Sequence, residues 1–165
     1  MFSDDIIKLA AETLQMARDR GFHLATAESC TGGLIMAALT EIAGSSDVVD
    51  RGFITYTNRA KMELLGVSTE TLRIGGAVTR ETAIAMATGA LKYSSANIAV
   101  SVTGIAGPGG GSAEKPVGLV HMAVAGREGV TLHEKHLFGD IGRNKVREAT
   151  VFAALGLFLK KITKY

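Results

Sequence analysis

The chain has no tryptophan, one cysteine and only 5% aromatic residues in 165 positions, and each scarcity removes a class of function. A single thiol, Cys30, can neither close an internal disulfide nor build a cysteine-based zinc site, which fits a reducing compartment. So few aromatics leave no platform on which successive bases would stack. The formal charge is only +2, and no long Lys/Arg block is present, so there is no electrostatic case for nucleic acid. No apolar run approaches the length of a membrane span. The opening Met1-Phe2-Ser3-Asp4-Asp5 carries acids where a secretory signal carries basic residues, so the expected location is cytoplasmic.

What is present is enough apolar material, 47% of residues, for one domain with a real core spanning 1–165. Ser3 is placed to cap a first helix whose Ile6, Ile7, Ala10, Leu14 and Ala17 share a face, with Gly21 ending it. Phe22 to Ala27 reads as a short buried strand, followed by a helix through Glu41 carrying Leu34, Ile35, Ala38 and Ile42. Val48 to about Thr57 suggests a second strand, and Arg59 to Leu65 a short helix stopped by Gly66. Ser68 to Gly76 reads as a short helix and loop, and Thr79 starts a stronger helix. Ala96 to Val102 is apolar at nearly every position, as a central strand covered on both faces would be. Gly118 to Ala125 and Val130 to Phe138 form a hairpin, and a final helix runs from about Gly142 to Lys161. That helix carries Phe152, Leu155 and Phe158 off its main stripe, so a second subunit is expected to cover part of it. Helices alternating with strands early and a hairpin late predict an α/β fold, a single three-layer α/β/α domain with a mixed sheet.

Ligands in such folds gather at strand ends. Three segments qualify, Glu28 to Gly33, Tyr56 to Lys61 and Thr103 to Gly111, and they are expected to converge. The first, within Thr26-Ala-Glu-Ser-Cys-Thr-Gly-Gly33, joins a strand to a helix, where free backbone N–H groups favour negative charge. A nucleophile there would have oxyanion donors beside it; equally, Ser29 or Thr31 could serve only as an N-cap. Five glycines between Gly104 and Gly111 let backbone amides approach a phosphate or carboxylate, with Lys115 or Arg143 as countercharge. The same stretch also reads as a surface loop, and it meets neither the Walker nor the Rossmann pattern. Lys61 would serve as a base for Ser29 only if its pKa were lowered by burial or a neighbouring cation. His23, His121, His133 and His136 read as packing or surface residues, and their spacing misses the helical zinc motifs.

Taken together, Glu28-Ser29-Cys30-Thr31-Gly32-Gly33, Tyr56-x-Asn58-x-x-Lys61, Val102-Thr103-Gly104-Ile105-Ala106-Gly107-Pro108 with Gly109 to Gly111, and Lys115-Pro116-Val117-Gly118 resemble the C-terminal domain family of the competence/damage-inducible protein CinA. Its active members are nicotinamide-nucleotide amidohydrolases, also called NMN deamidases, and this chain looks like the stand-alone form. The resemblance implies hydrolysis of the carboxamide of nicotinamide mononucleotide to nicotinate mononucleotide and ammonia, in pyridine-nucleotide salvage, with no metal or organic cofactor. Ser29 would be the nucleophile, with Lys61 as base, relayed through Tyr56, and amides near Thr31 and Gly32 holding the oxyanion. Cys30, Thr31, Gly32, Thr103, Gly104, Gly107 and Arg143 would bind substrate. The family commonly has Gly-Asp-Arg before its last helix; this chain reads Gly139-Asp140-Ile141-Gly142-Arg143, which aligns the arginine with Arg143. Partners expected on this basis are the mononucleotide and further copies of the chain, with no nucleic acid or membrane. Two other readings remain: a Cys30-dependent amidase, and a non-catalytic nucleotide-binding or competence/DNA-damage accessory domain.

Overall fold

A computed structural model describes residues 1–165. Helix α1 (Asp4–Asp19) begins where the Ser3 hydroxyl accepts from the Ile6 N–H, with Asp4 and Asp5 in the turn that the helix dipole favours for acids. Strand β1 (Leu24–Glu28) follows, then α2 (Leu34–Thr40), a 3-10 turn (Ser45–Asp47), β2 (Val49–Ile54), α3 (Asn58–Leu65), α4 (Thr69–Gly75) and α5 (Arg80–Lys92). The chain continues with β3 (Ile98–Gly104), β4 (Leu119–Gly126), β5 (Leu132–Leu137) and α6 (Arg143–Ile162). The sheet order is β2-β1-β3-β4-β5. β2, β1 and β3 run parallel, and β4 and β5 are antiparallel to their neighbours.

Side chains alternate across the sheet, so each strand feeds two cores. Leu24, Ile98, Val100, Val102, Met122 and Val124 pack against α1, α2 and α6. On the other face Ala25, Ala27, Ala99, Ala123 and Ala125 meet α3, α4 and α5. The mixed three-layer α/β/α architecture expected from the sequence is the one observed.

The second face is built largely from alanine, and small side chains let helices approach closely. The Ser101 hydroxyl donates to the Ala83 carbonyl of α5. A side chain on Gly89 of α5 would run into the Leu65 carbonyl of α3. These contacts press α3 onto the layer beside β1, and each fully buried aliphatic such as Leu65 adds roughly 1.5–3 kcal/mol.

Several boundaries differ from the sequence reading. β1 starts at Leu24 rather than Phe22, and β2 ends at Ile54 rather than near Thr57. β3 runs on to Gly104, because Thr103 and Gly104 pair with His121 and Val120 across the ladder. On α6, Leu155 and Phe158 are fully buried within this chain, and the surface beyond the stripe reduces to Phe152, half exposed. Two of the three off-stripe residues therefore need no second subunit.

Candidate active site

Beyond β1 the alternation of faces decides which residues meet. Thr26 and Glu28 point toward α2, so the next residue, Ser29, turns to the side where α3 lies. The ladder holds through this point: the Ser29 N–H donates to the Val102 carbonyl, and the Thr55 N–H donates to the Glu28 carbonyl. From the neighbouring segment, Thr57 caps α3 by accepting from the Ala60 N–H, and Gly66 closes it in the left-handed region. That phasing sends Lys61 inward, where it is 1% exposed.

There the Lys61 Nζ lies 3.0 Å from Ser29 Oγ and donates to the Thr55 carbonyl at 2.8 Å. Burial pushes the Lys61 ammonium down from 10.5 to about 8, because a charge removed from water is penalised. No acid bonds it to restore the charge. With one N–H fixed on Thr55, the neutral amine has its lone pair free to take the Ser29 proton.

Cys30, adjacent in sequence, is different. Burial pushes its thiol up to about 12, with the Glu28 carboxylate adding to the shift, so at neutral pH it carries no useful thiolate fraction. Burial of the thiol therefore disfavours Cys30 as nucleophile.

Neither Ser29 nor Thr31 caps α2. Gly33 sits at the N-cap with φ 102° and no side-chain cap bond. The capping group is the fully buried carboxylate of Glu28, which accepts the N–H groups of Gly33, Ile35 and Met36 at 3.0, 3.0 and 2.9 Å. It also accepts the hydroxyls of Thr26 at 3.1 Å and Thr31 at 2.6 Å. The start of α2 is thus already neutralised and cannot receive a substrate anion.

The amide of Gly32 is also taken, donating to the Ser29 carbonyl, so it is not an oxyanion donor. The backbone N–H groups of Cys30 and Thr31 donate to no backbone carbonyl, and they follow Ser29 directly in the chain. They are the donors left for an oxyanion.

Tyr56 is not bonded to Lys61 or Ser29. Its hydroxyl accepts from the Arg143 Nη2 at 2.8 Å, while the Arg143 Nη1 donates to the Gly107 carbonyl at 2.8 Å. The proton relay through Tyr56 expected from the family resemblance has no hydrogen bond to carry it here; Lys61 reaches Ser29 unaided. Arg143 instead brings the second and third segments together, so all three meet at the carboxyl ends of the parallel strands β2, β1 and β3.

In the third segment, the Thr103 hydroxyl donates to the Ala77 carbonyl at 2.8 Å, anchoring the α4–α5 connection. Gly104 lies in β3, where a side chain would collide with Val120. The Ile105 N–H is taken by the Leu119 carbonyl, whereas those of Ala106 and Gly107 donate to no backbone carbonyl, as the amides of an anion cradle would have to. Lys115 reaches back to the Gly75 carbonyl.

Arg147 was not singled out by sequence reasoning. It donates to the Thr31 carbonyl at 2.9 Å, and its buried Nε has no partner. Its spacing of four from Arg143, one helical turn on the same face, was the available signal. The histidines stay apart from the dyad: His121 and His133 pair with each other at 3.0 Å, and burial pushes His121 down to about 4. A cavity of about 680 Å³ between α1, β5 and α6 is lined by neither Ser29 nor Lys61.

Comparison with known proteins points one way. The CinA C-terminal domain matches residues 6–162. A nicotinamide-nucleotide amidohydrolase, PncC, of Enterobacter agglomerans is 51% identical over 93% of this chain and 95% of its own. A CinA-like protein of Syntrophobacter fumaroxidans is 51% identical over 88% of this chain. The chain spans only about a third of the length of that relative and of three further curated ones, 34–39%. The crystal structure of the competence/damage inducible protein CihA of Agrobacterium tumefaciens superimposes with a TM-score of 0.96 at 60% identity, covering 99% of this chain and 98% of that one.

Proposed function

For a chain that belongs to the CinA C-terminal domain family, we propose hydrolysis of the carboxamide of nicotinamide mononucleotide, giving nicotinate mononucleotide and ammonia. The observation that carries this reading is the buried Lys61 amine, 3.0 Å from Ser29 Oγ and held near pKa 8. A similar chain named as a nicotinamide-nucleotide amidohydrolase, matched over nearly its whole length, supports that choice of substrate.

Neutral Lys61 takes the Ser29 proton as Oγ attacks the amide carbon, and the carbonyl oxygen becomes an oxyanion held by the Cys30 and Thr31 N–H groups. Protonated Lys61 then delivers that proton to the departing nitrogen, and the C–N bond breaks. Ammonia leaves, and the nicotinoyl group stays on Ser29 as an ester. Water, deprotonated by the same amine, cleaves the ester and restores Ser29. The Ala106 and Gly107 amides with Arg143 hold the 5′-phosphate; an arginine with free guanidinium N–H groups suits that anion. Arg147 braces the nucleophile turn through Thr31.

In the cell the reaction belongs to pyridine-nucleotide salvage in the cytoplasm; no helix is long and apolar enough to cross a membrane. Residues 1–165 act as one amidohydrolase unit, and copies associate, with the exposed Phe152 as a contact. Light scattering tests the association. The decisive experiment incubates the protein with nicotinamide mononucleotide and measures ammonia. Release that vanishes in Ser29→Ala supports the reading, and no release from the unaltered chain refutes it in favour of a binding module.

A further inference from the structure

Tyr56 is 58% exposed, an unusual setting for an aromatic ring in a chain with so few. Its position is nonetheless fixed at both ends. At the root, the preceding carbonyl, that of Thr55, holds the Lys61 amine, which in turn touches Ser29. At the tip, the hydroxyl accepts from Arg143, itself tied to the Gly107 carbonyl. The hydroxyl is thus occupied, but the faces of the ring are not used in any aromatic or cation contact within the chain.

At the carboxyl ends of these strands the contacts run from the Ser29–Lys61 pair through Tyr56, with its exposed ring, to a guanidinium beside free backbone amides. A molecule matching that order carries an amide at one end, a flat ring in the middle and a phosphate at the other. The geometry points to the ring of Tyr56 as the stacking face for a cationic, N-alkylated pyridinium, which makes Tyr56 a specificity-determining residue rather than a proton relay. This rests on the amidase reading above and extends it: the site selects for positive charge in the ring, not only for the amide and the phosphate. An aromatic face attracts a cation through its quadrupole, by roughly two- to five-fold in affinity at an exposed site. Arg143 contacts only the hydroxyl edge, so it orients the ring without covering it.

The test uses the full chain carrying Ser29→Ala, so that ligand is bound and not consumed. Calorimetry compares nicotinamide mononucleotide with the C-nucleotide of benzamide, which keeps the carboxamide, ribose and phosphate on an uncharged ring. The cationic ligand should bind about two- to five-fold more tightly. Adding Tyr56→Phe should weaken both ligands by loss of the Arg143 tie while keeping that ratio; adding Tyr56→Leu should bring it to one. Circular dichroism checks that each variant is folded. A ratio unchanged in Tyr56→Leu, or absent from the start, overturns the inference alone if the unaltered chain still releases ammonia. Failure of the Ser29→Ala protein to bind either ligand overturns the inference, and overturns the amidase reading with it when the unaltered chain also releases no ammonia.

Discussion

Between pH 7 and pH 9 the rate should follow the charge on one buried amine. With Lys61 near pKa 8 instead of 10.5, about 9% of it is neutral at pH 7, about 50% at pH 8 and about 91% at pH 9. An unshifted lysine would be about 0.03% neutral at pH 7, so burial contributes roughly 300-fold in competent base. Consequently kcat/KM for nicotinamide mononucleotide should rise about five-fold from pH 7 to 8 and less than two-fold from 8 to 9. Initial rates of ammonia release at low substrate give this profile, over a range where the substrate phosphate is already ionised. The same group links to stability. Between pH 8 and 10.5 the unfolded chain binds the Lys61 proton and the folded chain does not, so unfolding free energy gains an upward slope with pH there. Lys61→Met should lose both the catalytic limb and that part of the slope, read by chemical denaturation at pH 8 and pH 10. A flat rate profile from pH 7 to 9 in the unaltered chain, or full activity in Lys61→Met, would refute the reasoning.

Other outcomes follow from the same geometry. Ser29→Ala should lower ammonia release by at least about 1000-fold with an unchanged circular dichroism spectrum, whereas Cys30→Ser should lose less than about ten-fold, since a thiol near pKa 12 is not the attacking group. Glu28→Gln offers a single carbonyl acceptor and two new donors to a cluster of five donors; it should cost about 2–4 kcal/mol and lower the melting temperature by roughly 5–15 °C in calorimetry. Gly89→Ala puts a methyl group into the Leu65 carbonyl, which should cost about 1–3 kcal/mol and lower activity by tilting α3; an unchanged melting temperature would count against the close α3–α5 packing.

Much of this fold could be read from pattern alone, and the misses have a common cause. Local chemistry marked the Ser3, Ser68 and Thr79 helix starts, and the apolar run from Ala96 marked the central strand, because caps and periodicity act over a few residues. Thr103 and Gly104 read as loop because their pairing with His121 and Val120 is decided by a strand some 17 positions away. At the site, the family motifs named Ser29 and Lys61, and the coordinates supplied the 3.0 Å contact. Of the two readings open for Ser29 and Thr31, the capping one falls because the neighbouring Glu28 carboxylate reaches forward to Gly33, Ile35 and Met36, a span that cap-residue preference does not reveal. Tyr56 lost its expected relay role to an arginine 87 positions away, a distance at which spacing carries no information.

The bond between Lys61 and Thr55 closes a small ring within a single stretch of chain, six residues from carbonyl to amine. The aim of the base is therefore set before any distant element is in place, and breathing of the layers changes its separation from Ser29 more than its direction. One residue inserted between Asn58 and Lys61 would swing the amine by roughly 100° around α3, so this turn should tolerate substitution at Asn58, Arg59 or Ala60 far better than any change of length.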